Sequence, residues 1–207
     1  MTVDKRKGRP QQHDRTAVLT AARQVAAERG YDSLRFLDIA DASGVAVSSL
    51  QYAFGTREAL VREVLRSGVH GELDRLKTAM DKAAPDSWGQ VQAFIKAGIS
   101  ADERQRREGW LLWMEFWRAG LRDAQVRTES IEVSRQWRDM LVGPIEAGAQ
   151  SGQFDFDMSS LDAAAAVVGV VDGLSLQVEV GGQNMRVASA RRVALSTTRQ
   201  VLGVKDE

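Results

Sequence analysis

The sequence predicts an all-α protein: an N-terminal three-helix unit followed by a larger helical body. Three observations point that way. Ala, Leu, Arg, Glu and Gln dominate, and all are favourable in helices. Proline is scarce, at three residues in 207. Alternating β-branched runs, the mark of half-buried strands, are nearly absent. A hydrophobic content of 43% suffices for one large or two modest helical domains with a core.

The elements follow in order. Val18, Leu19, Ala22, Val25 and Ala26 form the buried stripe of a first helix over 16–29, and Gly30 stops it. Phe36, Ile39 and Ala40 fall at helical spacing, and Gly44 closes that helix. Val47, Leu50 and Phe54 are the inward positions of a second short helix, which leaves Ser48, Ser49, Gln51 and Tyr52 outward. Two short helices joined by a Gly-containing turn form a helix-turn-helix, whose second helix fits a DNA major groove. Thr56 is a predicted N-cap, with Glu58 in the first turn where the helix dipole favours an acid. The helix it opens runs through Leu60, Val61, Val64 and Leu65 to Met80.

Pro85-Asp86-Ser87 breaks the chain and restarts it. The body then reads as helices over 88–100, 104–120 and 124–151, the last kinked at Pro144. A turn at 152–155 follows. Ser159 or Ser160 caps a helix to Val180, closed by Gly181-Gly182, and a final helix covers 185–202. The predicted domains are a basic arm (1–12), a helix-turn-helix domain (13–66) and a helical body (67–207).

Composition excludes several functions. There is no cysteine, so disulfides, thiolate nucleophiles and zinc-finger sites are ruled out. Both histidines, His13 and His70, precede the body, and no HExxH, P-loop or dinucleotide fingerprint occurs. Neither catalytic residues, a metal site nor a cofactor is expected. The polar N-terminus has no apolar signal-peptide core. The apolar stretch 163–171 is interrupted by Asp172 and too short to span a bilayer. A cytoplasmic protein without a membrane partner is expected.

Net charge is zero, yet Lys5, Arg6, Lys7 and Arg9 gather against the single acid Asp4 in residues 1–10. Residues 11–68 balance, and the compensating acidity lies further on. A short basic arm ahead of a helix-turn-helix is suited to DNA phosphates or a minor groove.

The segment LDIADASGVAVSSLQYAFGTREAL, preceded by AARQVAAERGYDSL, resembles the DNA-binding domain of the TetR family of bacterial transcriptional regulators, over about 15–65. That resemblance implies a homodimeric repressor of a palindromic DNA operator, released by a small-molecule effector. The implied DNA-binding residues are Arg35, Val47, Ser48, Ser49, Gln51, Tyr52, Thr56 and Arg57, with the four basic residues of the arm. The chain departs from the family pattern at three positions. Gln51 stands in place of Tyr, Ala53 in place of His or Tyr, and Arg35 in place of a capping Thr. Gln51 retains the donor and acceptor that read adenine. The alternative is a helical small-molecule-binding or enzymatic protein that uses the helix-turn-helix only structurally.

In the body, Trp110, Trp113, Met114, Trp117 and Leu121 form one stripe, and Leu112, Phe116 and Ala119 a second. Trp88, Phe94, Trp137 and Met140 lie on helices expected beside them. Either a tryptophan-rich core or a mostly apolar ligand pocket fits this pattern; the pocket set is Trp88, Phe94, Trp110, Trp113, Met114, Trp117, Trp137 and Met140. The body more loosely resembles the BetI-like branch of the family, in Trp113-Phe116-Trp117-Gly120 and Asp172-Gly173-Leu174. An aromatic cage for a quaternary ammonium follows from that likeness as one option.

The helix over 160–180 is apolar on nearly every face, and Gly169 and Gly173 leave a smooth strip along it. The family likeness makes this helix and the last one a dimer interface. The expected contacts are Val168, Gly169, Asp172, Gly173, Leu176, Ala190, Val193, Ala194 and Thr197.

Overall fold

The computed structural model describes residues 14–181 and 184–205. The basic-arm residues Lys5, Arg6, Lys7 and Arg9 lie outside them. The described residues hold α1 (Arg15–Arg29), a 3-10 turn (Tyr31–Ser33), α2 (Phe36–Ser43), α3 (Val47–Phe54), α4 (Arg57–Asp81), α5 (Ser87–Gly98), α6 (Glu103–Gly120), α7 (Ala124–Gln150), α8 (Ser160–Val180) and α9 (Val187–Val201). No strand occurs among them. The chain divides into two compact units, meeting between Gly68 and Val69 on α4.

In the first unit, the α1 stripe of Val18, Leu19, Ala22, Val25 and Ala26 is buried with Leu34, Ile39, Leu50, Phe54, Leu60 and Val64. Asp14 caps α1, accepting from Thr16 N at 2.9 Å. Gly44 ends α2 in the left-handed conformation (φ 71°, ψ 9°), its N–H donating to Ala40 O at 2.9 Å. Ser43 stitches the following turn: its Oγ donates to Ile39 O at 2.7 Å and accepts from Val45 N at 3.3 Å. Thr56 caps α4 as expected, Oγ1 accepting from Ala59 N at 3.1 Å.

The second unit has its core where α5 (Val91, Phe94, Ile95), α6 (Leu112, Phe116), α7 (Val133, Leu141, Ile145) and α8 (Ala163, Ala164, Val167, Val171) meet. Asp86, Asp102 and Asp123 cap α5, α6 and α7. Ser159 caps α8, accepting from Asp162 N at 3.1 Å. Pro144 lies inside α7, which continues past it to Gln150. α9 adds Ala190, Ala194 and Thr198 to the core. Its Arg191 donates to the carbonyls of Lys96 (2.6 Å) and Ile99 (2.7 Å), so a cation sits on the C-terminal end of α5.

α8 has the expected bounds, but its apolar stretch is longer than residues 163–171, which alone are too short to span a bilayer. The apolar run continues beyond Asp172, and by length and composition α8 is the one helix among the described residues that suffices to cross a membrane. One face of it (Ala163, Ala164, Val167, Val171, Ser175) is buried inside the body, while Leu161, Leu176 and Val180 stay exposed.

Candidate functional site

Two places combine exposure or space with chemistry. The first is α3. Leu50 and Phe54 anchor it in the core of the first unit. Ser48, Gln51, Tyr52 and Ala53 are exposed, Tyr52 at 89%, while Val47 and Ser49 are half-buried. The open face therefore presents a hydroxyl, an amide and a phenol, groups that match base edges and phosphates.

Arginines from two flanking helices hold α3 and the segment between α1 and α2. Arg15 of α1 lies over the Phe54 ring, 4.4 Å from its centroid, pairs with Glu63 of α4, and donates to Ala53 O at 3.4 Å. Arg57 of α4 donates from Nε to Leu34 O (2.7 Å) and from Nη2 to Tyr31 O (3.1 Å) and Asp32 O. Arg57, one of the implied DNA-binding residues, is thus engaged with three backbone carbonyls of its own unit. Only folding brings residues 31–34 and 57 together, so sequence spacing gave no hint of it. Arg35 is exposed at the N-cap of α2, without the side-chain cap bond that Thr would offer there. Thr56 is exposed and uses its hydroxyl for the α4 cap.

The second place is a cavity of about 140 Å³ in the second unit. Trp110, Trp113 and Trp117 of α6 and Trp137 of α7 line it. Trp113 is the hub: its ring centroid lies 5.2 Å from that of Trp137 and 5.9 Å from that of Trp117, which in turn is 6.1 Å from Trp110. Gly98 and Gly109 supply backbone to the wall. A Cβ at Gly98 would come within 2.7 Å of Val171 Cγ1, so only glycine permits that approach.

Four residues of the expected pocket set stand elsewhere. Trp88 packs edge-on to Phe154 at 6.4 Å. Phe94 is fully buried edge-on to Trp137, at 5.4 Å, and is not part of the lining. Met114 is exposed, and Met140 is half-buried outside the lining. The core-facing side of α6 is Gly109, Leu112, Phe116 and Gly120, so the tryptophan stripe is offset from the core.

The lining is also more polar than expected. Glu72 and Arg75 of α4, Ser100, Gln105 and Arg106 near the start of α6, Ser134 of α7, and Asp172 and Ser175 of α8 share it with the indoles. Most of these charges are matched. Arg75 donates to Glu72 Oε2 at 2.7 and 3.1 Å and to Ala97 O at 3.1 Å. Arg106 pairs with Glu179, both nearly buried, and donates to Ser100 O at 3.1 Å. Asp172 has no such partner, and burial pushes its carboxyl from 3.8 up to about 6. Trp137 is 9% exposed, and its Nε1 finds no acceptor.

Asp172 and Val168 were expected at a dimer interface; both line the cavity. α8 is apolar all round, so its period could not say which side faced inward. Ala190 and Ala194 are wholly buried within the chain and have no surface left for a partner. Gly169, Gly173, Leu176 and Val193 are exposed, and Thr197 is half-buried. Nothing stands within 4 Å of where a Cβ at Gly169 or Gly173 would sit.

Residues 18–64 match the family model described as bacterial regulatory proteins, tetR family. Residues 89–203, more than half of the chain, match that of the BetI-type transcriptional repressor, C-terminal. The chain belongs to the TetR family of transcriptional regulators. The regulator is 26% identical over 144 residues to the HTH-type transcriptional repressor KstR2 of Rhodococcus jostii, covering 70% of this chain and 69% of that one. It is 29% identical over 130 residues to the HTH-type transcriptional regulator BetI of Rhizobium meliloti, covering 62% and 63%. Its fold is similar to that of a solved putative regulator from Saccharomonospora viridis in complex with choline, with TM-score 0.77, 23% identity, and 89% and 94% of the chains covered. It is similar also to FadR of Bacillus subtilis in complex with stearoyl-CoA, with TM-score 0.69, 19% identity, and 93% and 100% covered. This TetR-family chain is a DNA-binding regulator with a helical ligand-binding domain, and not an enzyme.

Proposed function

We propose that this regulator is a cytoplasmic homodimeric repressor that reads a palindromic operator through α3 and releases it when a small molecule enters the tryptophan-lined cavity. The observation that carries this reading is the division of labour along α4. At its start Thr56 caps the helix, and Arg57 binds the carbonyls of the segment that leads into α2. Its later turns supply Glu72 and Arg75 to the cavity wall. A ligand that displaces that ion pair acts on the helix that also carries the recognition unit, and a shift in its preferred position biases DNA affinity.

Direct readout falls to Ser48, Ser49 and Gln51, with Tyr52 on the sugar-phosphate backbone or a thymine methyl. Lys5, Arg6, Lys7 and Arg9 add salt-dependent phosphate contact. Dimerisation uses the exposed faces of α8 and α9 around Gly169, Gly173, Leu176, Val193 and Thr197. Two recognition helices then address half-sites about 34 Å apart.

The test is binding of the full-length protein to the DNA upstream of its own gene. Saturable binding to a palindrome, weakening steeply with salt and again with an effector, is the expected result. Affinity no greater than for random duplex would refute the operator reading.

A further inference from the structure

The end of α5 is held by the side chains of other helices. The last carbonyls of an α-helix have no partner inside it. In α5 the backbone ladder closes where Ile99 N–H donates to Ile95 O at 2.9 Å. Each of the next carbonyls, 96 to 100, then accepts from a different part of the second unit. Arg191 of α9 takes Lys96 O (2.6 Å) and Ile99 O (2.7 Å). Arg75 of α4 takes Ala97 O at 3.1 Å. Ser175 of α8 reaches Gly98 O at 3.5 Å, and Arg106 of α6 takes Ser100 O at 3.1 Å. Glu72 fixes the Arg75 guanidinium from behind, and Glu179 that of Arg106. Burial, and then the charge of Arg106, lower the pKa of Arg191, so those two cations lie within electrostatic reach of each other. A helix that only has to stop needs far less. α2 ends on Gly44 in the left-handed conformation. α5 has Ile99 at its C-cap and uses three guanidiniums from three helices instead.

We propose that backbone 96–100 is a clamp that couples α9 to α4, with Arg191 and Arg75 as its two positioning residues. This rests on α4 carrying the regulatory signal, as in the proposed function. The α9 and α4 arginines grip neighbouring peptide groups, those of Lys96 and Ala97. A peptide group is planar and rigid, so turning one carbonyl re-aims the next. Ile99 has left helical geometry (φ −101°, ψ 70°), so the stretch resists such a turn through its side-chain partners. Without Arg191, the carbonyls of Lys96 and Ile99 turn toward water and Ala97 O leaves Arg75. α4 then loses its bond to α5, although Arg191 itself stands on α9. The route from α9 to α4 thus runs through five residues of backbone that belong to neither helix.

The experiment compares full-length parent, R191Q and R75Q with a control, R127Q. Arg127 of α7 grips the end of α6 in the same manner, donating to Gly120 O and Leu121 O at 3.2 Å, so R127Q removes the same kind of bond away from α5. Amide hydrogen exchange reads the clamp without DNA, each protein being normalised to its own urea stability. R191Q should speed exchange over residues 69–81 of α4 by about tenfold or more, as R75Q does, and R127Q should not. R191K, which keeps the charge and loses the fork, should act in the same direction and serves if R191Q does not fold. Unchanged exchange in α4 with the Arg191 variants would overturn the clamp. So would an equal rise with R127Q, which would be general loosening. Affinity for the DNA upstream of the gene, with every protein held dimeric, is the second readout. R191Q and R75Q should each weaken it by about fivefold or more, and the double variant no further than either alone. Losses that multiply would mean two separate structural roles and would also overturn the proposal. A parent that does not bind this DNA defeats the operator reading, and the exchange result then decides the clamp by itself.

Discussion

The guanidinium Nε of Arg57 donates to the backbone carbonyl of Leu34 at 2.7 Å, and Nη2 of the same group reaches the carbonyls of Tyr31 and Asp32. One planar fork at the start of α4 thereby closes the loop between α1 and α2. A lysine has the charge but lacks the fork.

Arg57→Ala should therefore destabilise the protein by about 1–3 kcal/mol, since charge-assisted bonds to carbonyls are lost from a half-exposed site. Arg57→Lys should restore little. Operator affinity should fall for all sequences with the salt slope unchanged. A slope reduced by about one unit would place the guanidinium on a phosphate instead.

Gln51 is exposed on α3 between the anchors Leu50 and Phe54. Its amide is the one group on that face able to donate and accept at a single adenine. Gln51→Ala should cost about 1–3 kcal/mol at the preferred operator and relax one base position. Binding-site selection with the variant checks this, and an unaltered base preference would move the readout to Ser48 and Ser49.

What was legible in the sequence follows a physical line. The Gly44 stop, the Thr56 cap and the α1 stripe are local, set by residues within one or two turns, and the structure has them where expected. Placement between helices was not legible. A period of 3.6 gives the face of a helix but not what that face meets, so Trp88 and Trp113 read alike although only Trp113 reaches the cavity. On α8 even the face was hidden, because Val167, Val168, Val170 and Val171 surround the axis. Hence Asp172 and Val168 were expected outside, and Ala190 and Ala194, wholly buried, beside them. The carbonyl partners of Arg57 lie 23 to 26 residues away, beyond any local pattern.

Gly173 offers a clean probe of dimerisation, because a side chain there meets nothing within the protomer. Gly173→Glu should keep the helical fold, yet place an unpaired charge in the proposed interface. Association should weaken at least about a hundredfold, equivalent to about 3 kcal/mol. Sedimentation and circular dichroism together decide it: a helical monomer is the expected result, and an undisturbed dimer would put the interface elsewhere.

Asp172 makes the stability of the unliganded protein depend on pH in a direction opposite to that of a salt-bridged acid. Its carboxyl titrates near 3.8 when unfolded and about 6 when folded, so the folded state holds the proton more tightly between those values. Stability contributed by this group therefore falls as pH rises from about 4 to about 6 and stays low above. Asn has no charge to desolvate. D172N should thus be more stable than the parent by about 1–3 kcal/mol at neutral pH, with the advantage vanishing below about pH 4. Urea unfolding of both proteins across that range measures it. A constant difference between the two at every pH would mean that the carboxyl is not desolvated in the folded chain. A parent that gains on D172N as the pH rises would mean that a cation of the protein itself already holds Asp172.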